Sequence, residues 1–288
     1  MKILLIGGSG LFGRAFVELI KDRTSHDIYA TYNENIVDSE EAVFLDITDK
    51  KRVEEVIKKL QPDVVVHAAA FTNVDKCEVE KEKAYDINVE GTKNIAMASN
   101  EIGAKMIYIS TDYVFDGTKG FYEEKDKTNP ISYYGLTKLE GEKAVQEICD
   151  DFIIARTSVI YGAHKKNFAT WVIKELREEN QIKIITDQWV SPTLNVDLAE
   201  QILALIEKDE KGIFHTAGGE RINRYDFVVE MARVFDFNEK LITPATSKEM
   251  NWIAKRPMDS SLNVSKISKI KKPYMVEESL RLLKKEVQ

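Results

Sequence analysis

A glycine-rich turn between a buried strand and a helix is the feature that most constrains the fold of this chain. The run from Ile3 to Ile6 is wholly apolar, which is typical of a strand that a parallel sheet buries on both faces. Residues 15–20 then have the apolar spacing of an amphipathic helix. The glycines between them fit two overlapping templates, G-x-x-G-x-x-G at Gly7, Gly10 and Gly13, and G-x-G-x-x-G at Gly8, Gly10 and Gly13. Such glycines let a pyrophosphate approach the helix N-terminus, so we predict a dinucleotide site rather than a tight turn without a ligand.

Strands and helices alternate along the first half of the chain. Further apolar runs predict strands at residues 27–32, 43–46, 64–67, 106–110 and 153–156. Stretches with helical spacing separate them, at residues 49–60, 89–102 and 133–145. Alternation of this kind is typical of a doubly wound parallel sheet with right-handed connections, so the predicted fold class is α/β.

The alternation weakens after Arg156. Helices are predicted at residues 167–177 and 196–206, on either side of the segment 182–186, and at residues 225–235 and 276–285. We therefore expect a dinucleotide-binding domain over residues 1–156, with about 182–206 returning to it. Residues 157–288 are expected to form mainly a smaller α/β substrate-binding domain.

Three of the predicted strands end in residues suited to a ligand. They are the alanines Ala68, Ala69 and Ala70, the acid Asp46, and the polar run Ser110, Thr111 and Asp112. An open parallel sheet binds its ligands in the crevice at the carboxyl ends of the strands. Small side chains there leave room for a flat cofactor, although close packing alone would also explain alanines. A hydroxyl of Ser110 or Thr111 could hydrogen-bond a substrate oxygen.

The end of the second strand bears on the choice between NAD and NADP. A dinucleotide site usually carries an acid there, which binds the ribose 2′-hydroxyl. Residues 31–33 read Thr-Tyr-Asn instead, and the first acid is Glu34. Arg14 directly follows Gly13, where a cation could meet a 2′-phosphate; an exposed helix position is the alternative. We therefore expect NADP or NAD as the cofactor, with NADPH slightly favoured.

Tyr134 and Lys138 lie four residues apart in a predicted helix, so both side chains point from one face. Asn129-Pro130 and Ser132 form a signal for the start of that helix. A nearby ammonium favours the phenolate, so the pKa of Tyr134 is expected to fall from its usual ~10 towards working pH. Such a tyrosine can give a proton to a carbonyl oxygen or take one from an alcohol. A surface pair on a helix is the alternative that the spacing alone leaves open.

Charge and cysteine content narrow the range of partners. The formal charge is −7, from 41 Lys and Arg against 48 Asp and Glu, so nucleic acid is not an expected partner. Cys77 and Cys149 lack the paired spacing of a disulfide framework or a zinc site, so we expect no metal and a reducing cytoplasm. His67 lies in an apolar strand and is interpreted as a core residue. No apolar run approaches the ~20 residues of a membrane span, so no membrane partner is expected.

Together these features resemble the extended short-chain dehydrogenase/reductase family, and within it the dTDP-4-dehydrorhamnose reductases. The similarity extends over nearly the whole chain. Its stretches are residues 7–13 (GGSGLFG), 68–76 (AAAFTNVDK), 110–117 (STDYVFDG), 134–138 (YGLTK), 156–158 (RTS), 187–188 (DQ) with 192–193 (PT), and 256–257 (RP) with 260–262 (SSL). The stretches at residues 110–117 and 256–262 are the most specific.

The resemblance implies a Rossmann fold and an oxidoreductase of dTDP-rhamnose biosynthesis, which reduces the 4-keto group of a nucleotide-diphosphate deoxysugar with NAD(P)H. It implies that the catalytic residues are Thr111, Tyr134 and Lys138. The expected cofactor-binding residues are Gly7, Gly10, Leu11, Phe12, Gly13, Arg14, Asp46, Ile47, Ala68, Ala69, Ala70, Ser110, Tyr134 and Lys138. The expected substrate-binding residues are Thr111, Asp112, Tyr113 and Arg256.

Arg256 is the residue that we expect to hold the substrate diphosphate. Arginine suits the geometry of phosphate best, and Pro257 restricts the backbone of the loop that carries it. The alternative is that Arg256 pairs with a surface carboxylate, which is the commoner fate of an arginine.

Two departures from the resemblance lie on the substrate side and leave the exact sugar open. Val159 stands where the rhamnose enzymes tend to carry tryptophan, and residues 188–193 lack the family's glycine. Tyr113 takes the place of the glutamate with which sugar 4,6-dehydratases eliminate water, which argues against dehydration. A nucleotide-sugar 4-epimerase remains an alternative. So does a non-catalytic NADP-binding regulatory subunit like that of methionine adenosyltransferase, and a homodimer is also open.

Overall fold

The computed structural model describes residues 1–34 and 42–287. Its strands, in chain order, are β1 Lys2–Ile6, β2 Asp27–Tyr32, β3 Val43–Phe44, β4 Val64–His67, β5 Lys105–Thr111, β6 Phe152–Thr157, β7 Ile160–Tyr161, β8 Ile182–Ile185, β9 Trp189–Val190, β10 Thr193–Leu194, β11 Gly212–His215, β12 Ile222–Asn223 and β13 Ile242–Ala245. Its α-helices are α1 Leu11–Arg23, α2 Lys50–Leu60, α3 Val74–Val79, α4 Lys81–Tyr85, α5 Gly91–Glu101, α6 Tyr133–Ile148, α7 Phe168–Arg177, α8 Asn195–Glu207, α9 Arg224–Phe235 and α10 Val276–Val287.

Seven of the strands form one parallel sheet in the order β11-β6-β5-β4-β1-β2-β3. The strand order reverses direction between β1 and β4, which creates the crevice where such sheets bind ligands. The register of β1 sets Ile3 beside Ile28 of β2 and Val64 of β4. The predicted doubly wound parallel sheet is confirmed.

Strand β1 is apolar from Ile3 to Ile6 because helices cover both faces of the sheet. Ile3 and Leu5 of β1 pack in a core with α1 and α8, whereas Leu4 and Ile6 pack on the opposite face with α2 and α5. This two-sided burial explains why the sequence of β1 is a continuous apolar run rather than an alternating one.

The second part of the chain has its own core. Strands β8 and β13 pair in parallel, and α7, α9 and α10 pack around them. Helix α8 packs against α1 of the large sheet instead, through Leu198 and Ile202 among others. Of the segment expected to return to the first domain, α8 therefore lies there and β8 does not. The domain boundary itself stays a prediction.

Two local elements differ from the sequence predictions. The helix expected from residue 89 begins as α5 at Gly91, after a π-helical turn at Asp86–Glu90. The third strand was expected to reach Asp46 but covers only Val43–Phe44; the Leu45 amide still donates to the Tyr32 carbonyl oxygen of β2, which ends at that residue. Among the described residues, none of the helices is long and apolar enough to cross a membrane.

Candidate active site

A cleft of about 1480 Å³ opens at the carboxyl ends of the sheet strands. Val159, Lys165, Lys166, Phe168 and Arg224 line it from the second part of the chain. Most predicted site residues also line it, namely Gly7, Gly10, Leu11, Phe12, Gly13, Asp46, Ile47, Ala68, Ala69, Ala70, Ser110, Thr111, Asp112, Tyr113, Tyr134 and Lys138. The structure thus brings together the groups that the sequence placed at four separate strand ends and one helix.

The glycine turn after β1 packs directly on the segment after β4. Gly7 has a φ of +94°, and a Cβ there would lie 2.8 Å from the backbone nitrogen of Ala69. A Cβ on Gly13 would lie 2.8 Å from the Cα of Gly8. Both contacts are too short for any side chain, so glycine is required at both positions.

The N-terminus of α1 meets the requirements of a pyrophosphate. Gly10 precedes the helix without a side-chain hydrogen bond, and its first turn carries no acidic residue. The amide groups of a helix N-terminus lack partners within the helix and attract anions. The turn, the helix end and the three alanines after β4 therefore fit a nicotinamide dinucleotide.

The residues around the second and third strands occupy different positions relative to the cleft. Asp46 accepts hydrogen bonds from the backbone nitrogen and the hydroxyl of Thr48, at 2.9 and 2.7 Å. Residues 31–34 also line the cleft. The side chain of Arg14 is 57% exposed and pairs with Glu18 at 3.1 Å. The structure does not bring Arg14 into the cleft, and its role at a 2′-phosphate stays a prediction.

Helix α6 begins at the rim of the cleft. The Ser132 hydroxyl accepts a hydrogen bond from the backbone nitrogen of Gly135 at 3.2 Å and caps the helix, as the sequence signal predicted. A Cβ on Gly135 would collide with the Tyr113 carbonyl oxygen, so the helix passes very close to that loop. Asn88 donates to the Thr137 hydroxyl at 3.0 Å and fixes the helix from a second direction.

Tyr134 and Lys138 both reach the cleft from one face of α6. Burial raises the pKa of Tyr134, and the Thr111 hydroxyl opposes that rise. The expected fall in the pKa of Tyr134 is therefore wrong for the protein by itself. The Lys138 ammonium donates to the Ile109 carbonyl oxygen at 2.9 Å and lies 4.0 Å from the centroid of the Tyr108 ring, so its hydrogen bond goes to the backbone and not to the Tyr134 phenol.

Lys138 is only 3% exposed. Burial lowers the pKa of Lys138 to about 7, and the Glu142 carboxylate partly offsets this effect. A lysine that titrates near neutral pH can hold or release a proton during a reaction. Burial, with a smaller effect of Lys138, also lowers the pKa of His67 to about 3. His67 is neutral and lies 3.1 Å from the Thr92 hydroxyl, which fits the predicted core residue.

Asp112 is a buried carboxylate that three hydroxyl groups surround. It accepts hydrogen bonds from Thr111 at 3.0 Å, Ser158 at 2.8 Å and Ser260 at 2.5 Å. Burial raises the pKa of Asp112, and the three hydroxyls oppose that rise. Because Thr111 donates its proton to Asp112, the orientation of its hydroxyl beside Tyr134 is fixed.

Glu142 is a buried carboxylate that the sequence analysis did not single out. Its Oε1 accepts a hydrogen bond from the Ser110 hydroxyl at 2.5 Å, and Arg156 donates to both of its oxygens. Ser110 was assigned to the cofactor, but its hydroxyl is bound to this ion pair. Glu142 follows Lys138 by four residues on α6, and that spacing was the available signal for a residue near the site.

Arg256, which was expected to bind the substrate diphosphate, lies outside the cleft, and a different arginine, Arg224, lines it. Arg256 donates to both oxygens of Asp75, at 3.0 and 2.8 Å, and does not line the cleft. The hydrogen bond from Arg256 is the main cause that lowers the pKa of Asp75 to about 2. Arg256 therefore pairs with a carboxylate, which was the alternative to a role in binding the diphosphate. Arg224, which no sequence motif singled out, lines the cleft.

A family model described as "RmlD substrate binding domain" matches residues 1–287. The chain belongs to this family. The match covers both parts of the chain, so the shared features extend beyond the nucleotide-binding half. The resemblance that the motifs indicated is confirmed.

The chain is similar over most of its length to three named proteins. The dTDP-4-dehydrorhamnose reductase of Aggregatibacter actinomycetemcomitans is 32% identical over 278 residues, which are 92% of each chain. A crystal structure of dTDP-4-dehydrorhamnose reductase from Bacillus anthracis in complex with NADP has a TM-score of 0.91 and 30% identity, and covers 99% of each chain. Methionine adenosyltransferase 2 subunit beta of Xenopus tropicalis is 32% identical over 278 residues, 93% of this chain and 82% of that protein.

The site combines a proton-donating phenol, a titratable lysine and an oriented hydroxyl in one cleft. This set can bind a carbonyl oxygen and protonate it as it is reduced. In the part of the chain that the structure describes, no group of three His, Cys, Asp or Glu side chains is arranged to hold a metal ion. The phenol, the lysine and the hydroxyl can themselves supply proton transfer and hydrogen bonding.

Proposed function

We propose that the protein is an NAD(P)H-dependent oxidoreductase that converts dTDP-4-dehydrorhamnose into dTDP-L-rhamnose. The observation that carries this proposal is that Thr111, Tyr134 and Lys138 meet at one cleft in a chain whose whole length matches the family. The names of the reductases among its relatives support the sugar, and the side chains support the reaction.

Each of the three residues has a part in the reduction. The cofactor, when bound at the glycine turn, supplies a hydride to the 4-keto carbon. Tyr134 donates its proton to the carbonyl oxygen, and its raised pKa keeps the phenol protonated at neutral pH. Thr111 binds the same oxygen by turning its hydroxyl proton from Asp112, which holds that proton beside the cleft in the absence of substrate, to the carbonyl oxygen. Lys138 returns a proton to the tyrosine, which its pKa of about 7 allows.

The experiment is to follow the loss of NADPH absorbance with dTDP-4-dehydrorhamnose and to identify the product by NMR. We expect one equivalent of dTDP-L-rhamnose for each NADPH oxidised. A free 4-keto-6-deoxysugar, which lacks the nucleotide, serves as the control and should react poorly. Isomerisation of the nucleotide sugar without net oxidation of NADPH would identify a 4-epimerase instead, and no change in either compound would contradict the proposal.

A second candidate function is that of a regulatory subunit. It is favoured by the match to methionine adenosyltransferase 2 subunit beta over 93% of this chain. Such a protein would bind NADP and a partner enzyme without turning over a sugar. Co-sedimentation with a purified methionine adenosyltransferase in the presence of NADP tests this candidate. Binding without any reductase activity would favour it over the enzyme.

We also propose that the protein works in a reducing cytoplasm. Cys77 and Cys149 are both free and buried. Burial raises the pKa of Cys77 to about 11 and that of Cys149 to about 12, so neither thiol is reactive. A homodimer stays a prediction, which analytical ultracentrifugation of the purified protein tests.

A further inference from the structure

We infer that Arg224, together with Lys165 and Lys166, forms the binding site for the diphosphate of the nucleotide sugar. This inference rests on the proposed function for its substrate class, a dTDP-linked sugar. It replaces Arg256 as the residue expected to hold the diphosphate.

The first argument is charge. Arg224, Lys165 and Lys166 all line the cleft, and none of them has a carboxylate oxygen within 4.0 Å among the described residues. Other arginines near the site are neutralised, since Arg156 pairs with Glu142 and Arg221 with Asp259. In a chain of net charge −7, three cations that line the cleft without such partners are suited to an anionic ligand.

The second argument is that the Arg224 guanidinium is held in place by neutral groups. Its Nε donates to the side-chain oxygen of Gln188 at 2.7 Å, and its backbone nitrogen donates to the Gln188 carbonyl oxygen at 3.1 Å. Its Cζ lies 5.0 Å from the centroid of the Phe168 ring. These contacts fix the side chain without an ion pair, although the buried Asp112 carboxylate also acts on the charge of Arg224 from beyond 4.0 Å. An arginine oriented in advance binds phosphate with little loss of freedom.

The third argument is position relative to the catalytic tyrosine. Arg224 lies close to Tyr113, and the two side chains influence each other's pKa. The Tyr113 ring in turn packs edge-to-face on Tyr134, with centroids 5.8 Å apart. A diphosphate at Arg224 is therefore separated from Tyr134 by about one aromatic ring. A sugar attached to that diphosphate would extend towards the proton donor.

Arg256 is a poorer candidate because its charge is already used. Besides its two hydrogen bonds to Asp75, its guanidinium lies 4.5 Å from the centroid of the Trp252 ring. To bind a phosphate it would have to leave the Asp75 carboxylate, which would then lose its main partner. Arg224 has no such bond to break.

The test uses dTDP as the probe, titrated calorimetrically into the protein saturated with NADPH. We expect Arg224→Gln to weaken dTDP binding roughly ten- to hundred-fold, since a charge-assisted hydrogen bond of this kind contributes that much. The affinity for NADPH should not change. The matched variant Arg256→Gln should keep dTDP affinity within a factor of about two. Unchanged dTDP affinity in Arg224→Gln, or a large loss in Arg256→Gln alone, would overturn the assignment.

A double variant, Lys165→Ala with Lys166→Ala, covers the case in which Arg224→Gln does not fold. Both lysine side chains are exposed and make no structural ion pair, so the fold should tolerate their loss. We expect dTDP affinity to fall several-fold and to become less sensitive to salt. If neither the dTDP affinity nor its salt dependence changes, the proposed diphosphate site is wrong. If dTDP binding depends on these residues but dTDP-4-dehydrorhamnose is not reduced, the diphosphate site stands and the proposed function fails.

Discussion

Arg156 holds Glu142 through two hydrogen bonds of 2.9 and 2.7 Å, in an interior where the two side chains are 4% and 0% exposed. The pair joins β6 to α6, the helix that carries Tyr134 and Lys138. Because neither charge can reach water, each depends on the other for compensation. The position of the helix that carries Tyr134 and Lys138 therefore depends on a buried ion pair that does not itself line the cleft.

Removal of the Glu142 charge should destabilise the fold strongly. Glu142→Gln leaves the Arg156 guanidinium buried without its counter-charge, which costs about 3–5 kcal/mol. Urea unfolding measures this loss. The control is Glu140→Gln on the same helix, whose carboxylate is 38% exposed in its pair with Lys143 and should contribute about 1 kcal/mol or less. Equal stability of the two variants would contradict the importance of the buried pair.

Loss of the Tyr134 hydroxyl should stop the reaction but not cofactor binding. Tyr134→Phe removes the proton donor, so turnover should fall roughly 100- to 10,000-fold while the Kd for NADPH stays the same. Steady-state NADPH oxidation and a fluorescence titration measure the two quantities. Tyr133→Phe is a matched control, since it removes the hydroxyl of a neighbouring tyrosine that does not line the cleft. Near wild-type turnover in Tyr134→Phe would remove this residue from the mechanism.

The pKa of Lys138 predicts how stability changes with pH. It is about 7 in the folded protein against a usual 10.5, so between these values the unfolded chain binds a proton that the folded protein has released. Stability contributed by this group is present above 10.5 and is lost as the pH falls to about 7. Without cofactor, the free energy of unfolding should therefore rise with pH more steeply in the wild type than in Lys138→Met, by about 1 kcal/mol per pH unit. Parallel curves for the two proteins would show that Lys138 titrates normally.

A methyl group at Gly7 should damage the cofactor site. In Gly7→Ala the new Cβ meets the backbone of Ala69 at 2.8 Å, and the φ of +94° is unfavourable for alanine. We expect a loss of NADPH affinity of at least tenfold in a calorimetric titration, because the turn and the alanine segment must move apart. Gly103→Ala separates the effect of the steric contact from the effect of the positive φ. Its φ is +70°, but nothing lies within 4 Å of the new Cβ. That variant should lose only about 1 kcal/mol of stability and bind NADPH normally.

Cofactor choice tests the role of Arg14. We expect NADPH to be accepted at least as well as NADH, since residues 31–33 carry no acid. If Arg14 turns from Glu18 to a 2′-phosphate, Arg14→Ala weakens NADPH by roughly fivefold and leaves NADH unchanged. Glu18→Gln should have the opposite effect, because it releases Arg14 from its pair. A strong preference for NADH that Arg14→Ala does not alter would exclude this role.

The sequence predicted those features of the fold that neighbouring residues determine. The apolar run of β1 and the Ser132 cap of α6 follow from the neighbouring residues, and the structure confirms both. The strand ends also follow from the chain itself, since the carboxyl ends of parallel strands share one edge. That is why the strand-end groups could be expected in one crevice, whereas the roles of the single residues came from the family resemblance.

The features that the sequence did not predict depend on residues far apart in the chain. Arg256 meets Asp75 across 181 positions, and nothing near Arg256 indicates that partner. The choice between Arg224 and Arg256 for an anion is thus decided by tertiary structure. The pKa of Tyr134 is another example, because it depends on the depth of burial and on where Lys138 directs its charge.

The hydrogen bond from Ser260 to Asp112 has a consequence for biosynthesis of the protein. The two residues are 148 positions apart, whereas the last strand of the large sheet already ends at His215. A nascent chain could therefore complete that sheet on the ribosome while Asp112 still lacks one of its three donors. We expect truncated translation products that end before Ser260 to be inactive, so catalysis would begin only when synthesis is nearly finished.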